Sequence, residues 1–510
     1  MVANRLYPFE PPWFSRLRWA VCAQEILEEA DKKVTTQYFG VPQCLKYKAI
    51  HVADIRIQQQ ADGRPYLLAR GDKELLVLPG HVIPELNGLK PDILLSRKSH
   101  AFALLGKLTG MQVVEKTGYH VRMLLSRISP ALPDLFPLMN ARISTSMELH
   151  FPSGSSGDEW TLMKPLPATV RCFSEGIALV LFGAAMVEKN PRLVHLTNEL
   201  TTSIFEVAFI MRCVPSVIQQ AVVWLLPSKW RMERSWRELG TFVVPEVIRQ
   251  KELLASDNHN HDKSSPTSPD LITWMVKDGR TELERDPNVL TTLCGSVAAG
   301  STYSIANFVC RALSDLTAHP DVLAAIRTEL AARHVAIKGQ WDLAALSGLD
   351  CLESAMKETA RLAPGTIIVY SRVAEQDFFL DHGRIEVRKG QFVTVSGPAR
   401  ATDEAIFEDA KTYKGLRFCA EEKIEGHRAK PFRSVDSDIL TWGAGRWACP
   451  GRMVADMAAK VLLIQLIDGY DFRFVGGKPI KPGSVHEFLF FHPDNQMLVR
   501  RRKDAVGIKL

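Results

Sequence analysis

Cys449 lies in Trp442-Gly443-Ala444-Gly445-Arg446-Trp447-Ala448-Cys449-Pro450-Gly451-Arg452, and the run Ala455 to Leu466 behind it reads as a helix. Such a loop can present a single thiolate, and the chemistry that suits it is axial ligation of a heme iron. The glycines permit sharp turns and close backbone approach to a flat macrocycle. Arg446, three residues before the sulfur, could reach a carboxylate on the ring edge. Pro450 and Gly451 then open the helix, whose first amides and positive dipole end favour a charged sulfur and moderate its electron donation. A solitary cysteine is more often a small buried apolar residue. The glycines, the arginine and the helix together set that reading aside.

The segment resembles the heme-binding signature of the cytochrome P450 family, Phe-x-x-Gly-x-Arg-x-Cys-x-Gly, with Trp442 standing where the family has Phe. The resemblance implies heme b with Cys449 on its iron, and Trp442, Gly445 and Arg446 against the cofactor. It implies the same for Arg372, in Tyr370-Ser371-Arg372-Val373, and for His120 and Arg122, in Gly118-Tyr119-His120-Val121-Arg122, all at positions that neutralise heme carboxylates. Each could equally be a solvated charge. Upstream, Lys357-Glu358-Thr359-Ala360-Arg361 puts an acid and an arginine three apart on one helical face. By resemblance to the family's Glu-x-x-Arg helix and its later arginine segment, here Tyr413 to Phe418, Glu358, Arg361 and Arg417 form a buried structural triad.

Val289 to Leu316, followed by Thr317-Ala318-His319-Pro320, resembles the long helix crossing the distal heme face. The family's middle reads Ala/Gly-Gly-x-Asp/Glu-Thr-Thr/Ser, and this chain has Gly300-Ser301-Thr302-Tyr303-Ser304. Counting back from His319-Pro320 puts Ser304 at the hydroxyl position and Tyr303 at the acid position, whereas a small deletion would select Thr302. Either hydroxyl could instead bond back to a carbonyl four residues earlier. Without the acid, protons for oxygen chemistry would need an ordered water chain.

The elements around these residues follow from pattern. The chain has 510 residues, 46% of them hydrophobic, enough for a large core. Its net charge of +6 is too weak and scattered for nucleic acid, though a basic surface would suit an acidic redox partner or anionic lipid. The 9 cysteines include no Cys-x-x-Cys pair, which argues against a zinc module or disulfide framework and for a reducing compartment. His259 and His261 fall in the polar stretch Ser256 to Pro269, read as a solvated loop. Arg64 to Ala69 and Glu74 to Pro79 read as a hairpin about Arg70-Gly71-Asp72-Lys73, while Tyr38 to Asp62 fits no pattern. From Pro91 to Leu362 the signal is mostly helical. Strand candidates follow at Ile367 to Val373, Arg384 to Val387 and Phe392 to Val395, then at Tyr470 to Val475 and Met497 to Arg501. The expected class is mainly α with small β-sheets. Resemblance makes residues 64–510 one cytochrome P450 heme domain after an N-terminal segment, 1–63.

That segment contains no run of about 18 to 20 apolar residues, so no transmembrane span is expected in it. Phe14 to Val34 reads as an amphipathic helix, packed on the protein or resting on a bilayer surface. The resemblance implies the cytoplasmic face of the endoplasmic reticulum, a soluble or peripheral placement remaining open. The segments Ala363 to Val369 and Phe488 to Phe491, with Ala298 and Ala299, would line an apolar pocket suited to a terpenoid, indole-derived or polyketide skeleton. The wording of Tyr413-Lys414-Gly415, Ala458-Ala459-Lys460 and Asp471 to Phe474 resembles fungal secondary-metabolite members. The activity implied is monooxygenation with O2 and electrons from an NADPH-dependent reductase, since no Gly-x-Gly-x-x-Gly loop is present for a dinucleotide. Two other readings stay open: a heme-thiolate isomerase or dehydratase that needs no reductase, and a non-catalytic heme-binding protein.

Overall fold

The computed structural model describes residues 11–35, 64–152, 159–257, 269–421 and 430–510. Tyr38 to Asp62, His259 and His261 lie outside the described residues. The long helices are α1 (Pro12–Thr35), α2 (Leu132–His150), α3 (Pro165–Phe182), α4 (Arg192–Cys213), α5 (Pro227–Asp257), α6 (Pro287–Ala318), α7 (Pro320–Ala336), α8 (Asp350–Leu362) and α9 (Arg452–Gly469). The strands are β1 (Tyr66–Ala69), β2 (Glu74–Leu78), β3 (Leu94–Leu95), β4 (Thr161–Met163), β5 (Ile368–Ala374), β6 (Phe378–Leu380), β7 (Ile385–Val387), β8 (Phe392–Ser396), β9 (Tyr470–Phe474), β10 (Gly483–Val485), β11 (Phe488–Phe490) and β12 (Met497–Arg501).

One large apolar core joins α2, α3, α4, α6 and α9. α3 and α6 are long and apolar enough to cross a membrane, but 83% and 61% of their most apolar windows are buried within the protein. Their apolarity serves helix packing. α6 begins because the Asp286 carboxylate accepts from the Asn288 amide and Pro287 fills the first helical position. It stops at Ala318 because His319 precedes Pro320 and is pushed out of the helical region, to φ −127°. α8 ends the same way, with Ala363 pushed out of the helical region, to φ −128°, before Pro364.

The sheets flank this body. Strands run β1-β2-β8-β5-β3 in the largest sheet, where β1 and β2 form the expected antiparallel hairpin and β2 lies parallel to β8. Gly71, at φ +88°, sits in its turn. β10 and β11 form a second hairpin where the sequence suggested a late loop, and Thr366 bridges to Phe488 there. α1 buries Trp19, Ala23, Ile26, Leu27 and Ala30 against β1 and β2. Trp13, Leu17 and Val21, at four-residue spacing, are exposed.

Candidate functional site

The Cys449 loop is held from three sides. The Cys449 amide donates to the Trp442 carbonyl at 2.7 Å, closing the loop on itself. Thr441 donates to the Ala360 carbonyl of α8 at 3.1 Å, and the Trp442 indole donates to the Phe432 carbonyl at 2.6 Å. Phe432 in turn stacks on Phe308 of α6, with centroids 4.8 Å apart. Gly445 is required twice over: its φ is +60°, and a Cβ there would stand 2.4 Å from Asn87 Oδ1.

The helix behind the loop starts at Arg452, with Gly451 as its cap. This is two residues later than the start at Pro450 expected from the sequence, so Pro450 belongs to the turn. Burial pushes the Cys449 thiol up, while the amides of Gly451 and Arg452 and the Arg452 charge pull it back down. These are the donors that would favour a metal-bound thiolate.

Beside the loop lies a cluster of basic side chains. Arg372 is 3% exposed, and burial lowers its pKa to about 10. Its Nη1 donates to the Ser371 carbonyl at 2.9 Å, yet its buried Nε has no partner among the described residues. His120 is pushed down to about 4 by burial and by the charges of Arg97 and His100, and its buried Nδ1 also has no partner among the described residues. Tyr370 is pushed up by burial and drawn back by the charges of Arg372 and Arg446, and the Arg372 guanidinium lies 4.2 Å from its ring centroid. Buried donors without acceptors are costly. A pair of anionic carboxylates would satisfy this set, so the residues present fit a heme with its two propionates. Arg122, in contrast, is committed to Glu284 at 2.8 Å and to the Tyr119 ring.

Sequence reasoning missed the frame of this cluster. β5 pairs with β8 through a register shift between Val369 and Arg372, and Tyr370 there has φ +58°. The bulge re-aims Arg372. The Tyr370 hydroxyl donates to Asn87 at 2.8 Å, and Asn87 also packs on Gly445, so one asparagine ties the bulge to the cysteine loop. A non-glycine at positive φ leaves no mark in a sequence.

The Glu358 carboxylate receives Arg361 Nε at 2.8 Å and Nη2 at 2.7 Å, Arg417 Nε at 3.1 Å and the Lys414 amide at 2.9 Å. Glu358 and Arg361 have no exposed side-chain surface. Arg361 Nη1 also donates to the Ala401 and Ala410 carbonyls. A second buried network stands nearby: Lys460 of α9 bonds Glu353 of α8 and Asp456 of its own helix, and Arg433 reaches Asp456 at 3.4 Å.

On α6 the candidate hydroxyls part company. Ser304 is exposed on the same face as Gly300, where an added Cβ would meet nothing within 4 Å. It donates to the Gly300 carbonyl at 3.1 Å. Thr302 lies on the opposite, packed face at 2% exposure.

A lone cysteine at a helix start, a long helix with an open small-residue face and an unneutralised basic cluster define a heme-thiolate protein. Residues 146–499 match the family described as Cytochrome P450. The chain belongs to that family and is a cytochrome P450 monooxygenase. Among its relatives, Cytochrome P450 monooxygenase AN1598 of Emericella nidulans is 25% identical over 445 residues, covering 86% of this chain and 80% of that one. Cytochrome P450 monooxygenase olcJ of Penicillium canescens is 26% identical, covering 99% and 88%. Cytochrome P450 monooxygenase ltmK of Epichloe festucae is 24% identical, covering 98% and 88%.

Proposed function

We propose that this monooxygenase oxidises an apolar secondary metabolite of terpenoid, indole-diterpene or polyketide type, drawing electrons from an NADPH-dependent reductase. The observation that carries this is the Cys449 loop, tied through Phe432 to Phe308 of α6, together with the open Gly300–Ser304 face of that helix and the cluster of half-buried Phe205, Phe209 and Phe488. Such a lining favours a skeleton with few polar groups. The fungal origin of the relatives supports the substrate class, while their identity near 25% carries no particular compound.

In this reading, bound heme supplies oxygen activation and one-electron chemistry. Cys449 would hold its iron, and Arg372, Arg446 and His120 would hold its carboxylates. Ser304 parks its proton on the Gly300 carbonyl and can turn it toward the open face, the role for which Thr302 is turned the wrong way. The apolar walls exclude water. Exposed Trp13, Leu17 and Val21 of α1 favour peripheral contact with a membrane, in keeping with the cytoplasmic face of the endoplasmic reticulum.

The ferrous carbon-monoxide spectrum tests the site. Wild type should give the thiolate-type Soret band and Cys449→Ser should lose it; identical spectra would remove the basis of the assignment. A second reading, a reductase-independent isomerase, draws on the absence of any carboxylate between Val297 and Phe308. Turnover without NADPH would select it.

A further inference from the structure

Tyr303 occupies the position where resemblance led one to expect an acid, and its hydroxyl lies 3.2 Å from Thr202 Oγ1 on α4. The direction of that bond follows from the other contact of Thr202. Thr202 Oγ1 lies 2.8 Å from the Asn198 carbonyl one turn earlier, and a carbonyl only accepts. A hydroxyl has one hydrogen. With that hydrogen on Asn198, Thr202 can only accept, so Tyr303 donates to it. The Tyr303 oxygen then keeps lone pairs but no proton to offer.

This run of bonds ends at a helix carbonyl. It leads to no group that could release a proton, which makes the pair unsuited to relay and suited to recognition. Its setting is aromatic. Phe205 and Phe209 follow Thr202 on the same face of α4, by three and then four residues, and Phe488 of β11 stands 6.3 Å and 5.3 Å from their rings. Open space adjoins them, since a Cβ at Gly300 or at Gly365 would meet nothing within 4 Å among the described residues.

We propose that Tyr303, locked by Thr202, is a hydrogen-bond acceptor in the substrate pocket that selects a largely apolar, ring-containing substrate carrying one O–H or N–H donor. The inference rests on the monooxygenase reading of the site. A neutral hydrogen bond of about 1 kcal/mol corresponds to roughly fivefold in affinity.

Carbazole, with one N–H and no strong acceptor, and 9-methylcarbazole make the test, with binding to the full-length holoprotein followed by the heme absorption shift. Wild type should bind carbazole about fivefold more tightly, and Tyr303→Phe should bind the two equally. Thr202→Val frees the Tyr303 proton, so it should raise affinity for the pure acceptor 9-fluorenone over fluorene, a preference wild type lacks. Equal binding of the carbazoles by wild type, or a preference that survives in Tyr303→Phe, would overturn the proposal while leaving the heme assignment intact. No shift with any of these ligands would overturn the pocket itself. An unchanged carbon-monoxide spectrum in Cys449→Ser would instead remove the heme reading beneath both.

Discussion

Glu358 and Arg361, three residues apart on α8, meet through two parallel bonds of 2.8 and 2.7 Å, and neither side chain has any exposed surface. A pair of this kind owes its importance to the cost of breaking it. Glu358→Gln leaves Arg361 and Arg417 as buried cations without a counter-charge, so chemical denaturation should report a loss of about 3 to 5 kcal/mol. Arg417→Leu should cost less than Arg361→Leu, because the bonds from Arg361 to the Ala401 and Ala410 carbonyls are buried, whereas those from Arg417 to the Glu408, Asp409 and Thr412 carbonyls lie at the surface, where water can replace them.

Lys460 carries a second such burden. It bonds both Glu353 and Asp456, and burial already holds the Asp456 carboxyl above its usual range. Lys460→Met strands two acids, again for about 3 to 5 kcal/mol. The sign with pH is fixed: a carboxyl with a raised folded pKa is stabilised relative to its ionised form, so the folded state loses stability as pH rises above the ordinary carboxylate value. Denaturation midpoints of Lys460→Met should therefore fall further below wild type at pH 8 than at pH 5.

The short-range half of this architecture was legible in the sequence. The Cys449 loop, the Glu358 to Arg361 spacing, the β1–β2 hairpin and the span of α6 all depend on residues near one another in the chain, where periodicity and turn residues speak directly. Strands of two or three residues, such as β3 and β6, are too short for alternation to register. The frame of the site was hidden because its partners come from far away: Asn87 meets Tyr370, and Thr202 meets Tyr303. Arg122 shows the converse. Its place near His120 suggested a heme contact, but Glu284, 162 residues later, claims it.

His486 gives a prediction of opposite pH sign. Its Nε2 lies 3.0 Å from the Phe209 carbonyl, and burial with the charges of Arg212 and Arg70 pushes it down to about 4, against the pull of Glu487. The unfolded chain binds that proton near pH 6.5, so stability is full above this value and is lost as pH falls toward about 4. The loss reaches roughly 3 kcal/mol at most. His486→Gln should flatten the acid side of the stability profile, measured by denaturation between pH 7 and 4.

Arg372 should govern how firmly heme is kept. A charge-assisted hydrogen bond in a buried site contributes about 1.5 to 3 kcal/mol, or roughly ten- to a hundredfold. Arg372→Leu is therefore expected to release heme to a scavenger faster by about that factor. Arg122→Leu, whose wild-type partner is Glu284, should change the release rate by less than about twofold while lowering stability through the buried acid it leaves behind.

Helix α1 has a buried face and an exposed one. Its inner face is fixed by Trp19, Ile26 and Leu27 in the core, which forces Trp13, Leu17 and Val21 outward as a stripe. Arg16 on the same helix donates to the Gly71 carbonyl at 3.1 Å and to the Val214 carbonyl, tying the stripe to the end of α4, beyond which Val217 and Leu225 are 88% and 78% exposed. Apolar residues set so openly on neighbouring elements would lie stably against a lipid surface. Sedimentation with neutral phosphatidylcholine vesicles should fall in Leu17→Glu/Val21→Glu, with the carbon-monoxide spectrum unchanged. Equal sedimentation of variant and wild type would show that this face does not meet the bilayer.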